Sequence, residues 1–152
     1  MLVALDDLTP SAVYHLLTQV VVPRPIAWVV TDNGTAAGAA GDGAEHDGAE
    51  RWNVAPYSFF NAVASDPPTV AFSVGRSPRS EADGGAVKDT LANLEQRGRL
   101  TIALAHHGQL EAVEATAAPL PAGRGELAHA GLTAVDWGWD VPCPAGVRVA
   151  LG

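Results

Sequence analysis

The 152 residues carry 17 acidic and 9 basic side chains, a formal net charge of -8, with 47% hydrophobic and 17% charged residues. That balance describes one soluble globular domain spanning 1–152 and excludes a general nucleic-acid binder, whose phosphate contacts need a basic face. No apolar run reaches the ~20 residues that span a bilayer, so no membrane segment is expected. The start, MLVALDDLTP, lacks the basic flank of a signal peptide, and the single cysteine, Cys143, can build neither an internal disulfide nor a thiolate metal site, so a cytoplasmic location is expected.

Thr9 and Pro10 form an N-cap and first-turn pair, and Ala12, Val13, Leu16 and Leu17 share one helical stripe. A helix to about Gln19 is expected, its apolar face docked on a sheet. Pro23 and Pro25 break the next apolar run, leaving Ile26 to Thr31 as a strand with Trp28 on the face opposite Ala27 and Val29. Residues 32–51 hold 11 Ala or Gly among 20 and repeat the tetrapeptide DGAE; they contribute -4 to the total charge and read as a flexible, solvated hairpin tip. Their glycines do not form a dinucleotide fingerprint.

The stretch NVAPYSFFNAVASDPPTVAFSVGR reads as two strands, Asn53 to Ser58 and Thr69 to Val74, joined by a tight connection at Asp66, Pro67 and Pro68. Ser77 to Val87 is a polar, Gly-rich loop. Lys88, Asp89 and Thr90 then open a helix that carries Leu91 and Leu94 and stops at Gly98. Arg99 to Ala105 is a strand with Leu100, Ile102 and Leu104 alternating inward, Gln109 to Thr116 a short helix, and Glu126 to Ala130 a helical turn stopped by Gly131. Leu132 to Asp136 and Val147 to Leu151 are further strands. Short strands separated by turns and small helices indicate a small, mainly β barrel rather than a doubly wound sheet.

Two clusters can carry chemistry. Lys88 and Thr90 sit at a helix N-terminus, where free amides and the helix dipole favour an anion such as phosphate; Arg76 can reach the same point, and Asp89 is assigned to capping. The same triplet also describes an ordinary capped helix with two solvated basic residues. Tyr57, Ser58 and Asn61 combine an aromatic surface, a hydroxyl and an amide, a set that suits a heteroaromatic ring with carbonyl and N–H groups; the plainer reading makes Tyr57, Phe59 and Phe60 core. His106 and His107 are adjacent in a strand reading and face opposite sides, so they cannot share a metal. His129 lies three residues from Glu126, too common a pairing to signify. Walker, HExxH and Gly-x-Ser-x-Gly motifs are absent, which leaves hydrolase and kinase readings without a carrier, and no metal site is expected.

In chain order, PRPIAWVVT, NVAPYSFFNAVASDPPTVAFSVGR, KDTLANLEQRG and GELAHAGLT resemble the flavin reductase-like family of FMN-binding split barrels. The resemblance implies a Greek-key split β-barrel, a homodimer, and FMN in a groove near the subunit interface. It places Ala55, Pro56, Tyr57, Ser58 and Asn61 along the isoalloxazine, and Ser73, Val74, Gly75 and Arg76 with Lys88, Asp89 and Thr90 around the ribityl phosphate. It further implies NAD(P)H as hydride donor and, in some members, a flavin-dependent monooxygenase partner. No catalytic side chain is named, because the hydride chemistry belongs to the cofactor.

Three features depart from the family's pattern. The insertion at 32–51 replaces a short turn, Glu114 and Ala117 stand where Asn and Ser are common, and family members continue for several strands beyond Leu151. The chain therefore reads as C-terminally truncated, with a barrel incomplete at that end. An alternative follows: a non-catalytic FMN-binding or dimerisation module, or an inactive fragment of such an enzyme.

Overall fold

The computed structural model describes residues 5–34, 48–75, 87–121 and 124–152. Its centre is a four-stranded antiparallel sheet. In chain order the strands are β1 (Ala27–Asp32), β2 (Trp52–Tyr57), β5 (Thr101–Leu104) and β8 (Val149–Leu151), and in space they run β2-β1-β5-β8. Ala27 to Thr31 are all buried, so β1 is covered on both faces, which is why its sequence reads as an unbroken apolar run. Trp28 and Val30 pack on one side with Val54, Ala103, Leu127 and Val141. Ala27 and Val29 pack on the other with Tyr57 and Ile102, as the alternation predicts. Each large apolar side chain so buried contributes about 1.5–3 kcal/mol.

The polar atoms of this centre are matched. Trp28 Nε1 donates to Thr116 Oγ1 at 2.8 Å, tying β1 to the end of α3 (Leu110–Ala115), and Thr116 Oγ1 donates onward to the Val113 carbonyl. Thr101 Oγ1 donates to the Val141 carbonyl at 2.6 Å. At the edge strand β2, the Val54 amide has no sheet neighbour to take it. It donates instead to the carboxylate of buried Glu126, in α4 (Glu126–His129), at 3.0 Å.

Several expectations are refined. The stretch 53–76 holds three strands rather than two: β3 (Phe60–Ser65) intervenes and pairs with β4 (Pro68–Phe72), so the tight connection at Asp66 and Pro67 turns β3 into β4. β2 belongs to the main sheet and β4 to the hairpin, so the two strands expected as neighbours lie in different sheets. In β5, Thr101, Ile102 and Ala103 are all buried while Leu100 and Leu104 are only half-buried; two-sided coverage replaces the expected alternation.

Helix α1 (Pro10–Val20) is capped by Thr9, whose hydroxyl accepts the Ala12 amide at 3.2 Å. Its predicted stripe is half-buried and none of its residues is fully buried, so it does not dock closely on the sheet. His106 caps a 3-10 turn that contains His107 instead of extending a strand. The remaining strands, β6 (Ala134–Val135) and β7 (Cys143–Pro144), pair with each other.

The sheets do not close into a barrel among the described residues; the architecture is mainly β with short helices. The same residues contain no helix long and apolar enough to cross a membrane. Of the insertion, residues 35–47 lie outside the described residues, but its neck is defined. Arg51 donates to both carboxylate oxygens of Asp32, at 2.9 and 2.6 Å, and Asp32 Oδ1 also accepts the Gly34 amide.

Candidate flavin site

Helix α2 (Asp89–Arg97) lies against the β1–β2 hairpin through a buried chain of side-chain hydrogen bonds. Thr31 and Asn53 stand directly opposite each other in the β1–β2 register. Asn53 Nδ2 donates to Thr31 Oγ1 at 3.0 Å and to Thr90 Oγ1 at 2.9 Å. The Tyr57 hydroxyl donates to the same Thr90 oxygen at 2.9 Å. Asn93, one turn along α2, donates to Thr31 Oγ1 and to Asn33 Oδ1 at 3.1 and 2.8 Å. Both protons of the Asn53 and Asn93 amide nitrogens are thereby used, whereas Asn33 Nδ2, at the end of the chain, is buried without an acceptor among the described residues.

This chain brings together the two clusters that the sequence presents separately. Tyr57 comes from the end of β2 and Thr90 from the first turn of α2, and they bond directly. The Lys88 ammonium lies 5.5 Å from the Tyr57 ring centroid, within cation–π range, and the Phe72 ring lies 5.4 Å away. Burial pushes the Tyr57 phenol above its ordinary range; the Thr90 bond opposes this, and the negative charges of Glu126 and Asp89 reinforce it. The phenol is therefore a neutral donor at physiological pH.

The other named residues differ in accessibility. Ala55, Pro56, Ser58, Val74, Lys88 and Asp89 are half-buried, whereas Asn61, Ser73 and Gly75 are exposed. Ala55 and Val74 join the apolar cluster beneath Tyr57. Thr90 is 1% exposed, its oxygen already accepting two bonds. The helix cap is Lys88 rather than Asp89, which occupies the first helical position, and the Lys88 side chain makes no capping bond. Arg76, with the rest of 76–86, lies outside the described residues.

Sequence reasoning passed over Thr31, Asn53 and Asn93. Their signal was present: a Thr and an Asn interrupt apolar strands, and Thr90 and Asn93 recur three residues apart on one helical face. Two surface depressions, of about 280 and 510 Å³, are lined chiefly by Glu50, Arg124 and His129 in the first and by Arg99, Trp139 and Asp140 in the second. Neither is lined by a residue of the clusters above.

The donor set fits FMN. Lys88, Ser73 and the start of α2 offer a cation, a hydroxyl and helix-terminal amides for one end, while Ser58 and Asn61 offer hydroxyl and amide groups for the other.

Comparison with solved structures places the fold among flavin reductase split barrels. A putative flavin reductase with split barrel domain from Shewanella frigidimarina aligns with 96% of this chain and 62% of its own, at a TM-score of 0.66 and 18% identity. The nitrilotriacetate monooxygenase component B of Bacillus cereus is 30% identical, with a TM-score of 0.71, over 97% of this chain and 62% of that one. The 2-nitrobenzoate 2-nitroreductase of Pseudomonas fluorescens is 26% identical, with a TM-score of 0.72, over 99% and 62%.

The sequence matches the family described as Flavin reductase like domain over residues 20–152, and the chain belongs to that family. Uncharacterised proteins of Deinococcus radiodurans and Halalkalibacterium halodurans are 38% and 35% identical over 84% and 86% of this chain. The chain spans about half the length of these relatives, 50% and 53% respectively.

Proposed function

We propose that this chain is an FMN-binding, flavin reductase-like oxidoreductase domain that receives a hydride from NAD(P)H. The observation that carries the reading is the Tyr57–Thr90 bond, which unites a ring-facing cluster with a phosphate-facing helix start in a chain of this family. Bound flavin supplies the hydride-accepting chemistry. The protein's part is orientation. Tyr57 and the β2 backbone set the ring's position, the exposed Asn61 meets its polar edge, and Ser73 and Lys88 with the first amides of α2 meet the phosphate. Asn53 and Asn93 lock α2 against the sheet, which keeps the two ends of the site at a constant separation.

Likeness to the nitrilotriacetate monooxygenase component supports a further part of the reading, delivery of reduced flavin to a monooxygenase partner. Homodimerisation belongs to it too, as does a cytoplasmic setting, with which the single cysteine is consistent. Titration with FMN, followed by visible absorbance and flavin fluorescence, tests binding. Saturable quenching with a shifted spectrum is expected, and freely dialysable, unperturbed FMN refutes the reading. Anaerobic addition of NADH or NADPH should then bleach the bound flavin; binding without bleaching identifies a non-catalytic flavin module. Light scattering at a dimer mass checks the assembly.

A further inference from the structure

Arg24 lies in the connection between α1 and β1, and its environment differs from that of the paired arginines. Arg51, Arg99 and Arg124 pair with Asp32, Asp140 and Glu50, and Arg97 bonds to the Asn33 carbonyl. Among the described residues Arg24 has no such partner: its Nη1 is shut off from solvent without an acceptor, and its guanidinium carbon lies 5.5 Å from the centroid of the Phe59 ring. A partly buried cation that lacks a counter-charge is costly, and a donor kept in that state points to an anion that completes it.

The surroundings indicate which anion. Phe59 is 36% exposed, and the Tyr14 ring, also open to solvent, leans on it at 5.7 Å. The Phe59 carbonyl accepts the Ser73 amide at 2.9 Å, which puts the Phe59 main chain beside Ser73 of the candidate flavin site. A guanidinium beside open aromatic rings suits a phosphate joined to a planar heterocycle.

We infer that Arg24, with Phe59 and Tyr14, forms a nucleotide-phosphate site on the rim of the flavin site. The location follows from the geometry, and the ligand class rests on the flavin reading. Two phosphates are chemically equivalent here, that of FMN and those of the nicotinamide dinucleotide.

Arg24→Met keeps an unbranched apolar stem while removing the charged guanidinium that lies over Phe59. The first measurement needs no flavin: thermal unfolding of the full chain with millimolar ADP or inorganic pyrophosphate. Wild type should gain a higher midpoint and R24M should not; no gain in wild type, or equal gains in both, overturns the inference. Wild-type stabilisation by ADP without FMN binding would keep this site and reject the flavin reading.

With FMN bound, a loss of about tenfold in FMN affinity at unchanged riboflavin affinity assigns the flavin phosphate to Arg24 and removes it from Lys88 and the start of α2, on the scale of one charge-assisted hydrogen bond. A similar rise of about tenfold in KM for NADH or NADPH at unchanged FMN affinity assigns the dinucleotide. Equal weakening of FMN and riboflavin with unchanged KM means packing alone and overturns the inference. Arg24→Lys should recover part of either loss, and Arg24→Gln replaces R24M if the methionine variant unfolds.

Discussion

Thr90 is the residue on which the candidate site turns, because one hydroxyl oxygen accepts from both Asn53 and Tyr57 at 2.9 Å. Replacing it with valine strands two buried donors, and each costs about 1–3 kcal/mol. Thr90→Val should therefore lower the urea midpoint by an amount equivalent to about 2 kcal/mol or more, while Thr90→Ser should stay within about 1 kcal/mol of wild type. Lys88→Met, which leaves the Thr90 bonds in place, should weaken FMN more than riboflavin. Equal weakening of both ligands in fluorescence titrations would move the phosphate elsewhere. Trp28→Phe probes the opposite face of the sheet: loss of the 2.8 Å bond to Thr116 and of part of a buried ring should cost about 2–3 kcal/mol in the same measurement.

Among the elements, the pairing of α4 with β2 carries a separable prediction. Glu126→Ala removes the acceptor of the Val54 amide and uncovers an edge strand, so a loss of about 2 kcal/mol with increased light scattering on heating is expected. The hairpin neck is the pH-sensitive element. Its bonds to Arg51 hold the Asp32 carboxyl below its ordinary 3.8, with the Gly34 amide and the Arg97 charge adding to the effect against partial burial. A carboxyl lowered in the folded state contributes stability above pH 3.8, and that contribution is lost as pH falls through the folded value. The midpoint difference between wild type and Asp32→Asn should be constant near neutrality and vanish in strong acid. A difference that persists unchanged to low pH would remove the ion pair as its cause.

The elements also differ in how well their sequences announce them. The boundaries of α1 and α2 were readable because Thr9, Pro10 and Gly98 act locally, through a cap, a preset φ and a left-handed residue at φ 65°. β3 was not, because Asn61, Ala62, Ala64 and Ser65 have little strand preference and a register shift between Ala62 and Ala64 interrupts the period of two. The hydroxyl and amide groups of Thr31, Asn53 and Asn93 were visible as residue types. Their convergence depends on the β1–β2 register and the placement of α2, which no local pattern encodes.

At the scale of the whole molecule, the β3–β4 hairpin stands out. Almost all of its residues are exposed, Val63 and Val70 among them, although the two strands pair antiparallel with one register shift between Ala62 and Ala64. The insertion, by contrast, is closed at its base by the Asp32–Arg51 pair. Replacing residues 35–47 with a short Gly-Ser link should leave FMN affinity within about twofold and stability within about 1 kcal/mol, since loop-closure entropy changes slowly with length. A large loss of affinity in that variant would assign the insertion a role in the site.

The sequence by itself determined the family, the capped helices, the apolar run of β1 and the two chemical clusters, because each of these is written in neighbouring residues or in an ordered set of motifs. Only the tertiary structure decided that Tyr57 meets Thr90, that Asn53 bridges β1 to α2, that Glu126 serves the edge of β2, and that Arg24 is left without a counter-charge. Each of those depends on partners distant in the chain, whose meeting is set by strand register and helix packing rather than by local preference.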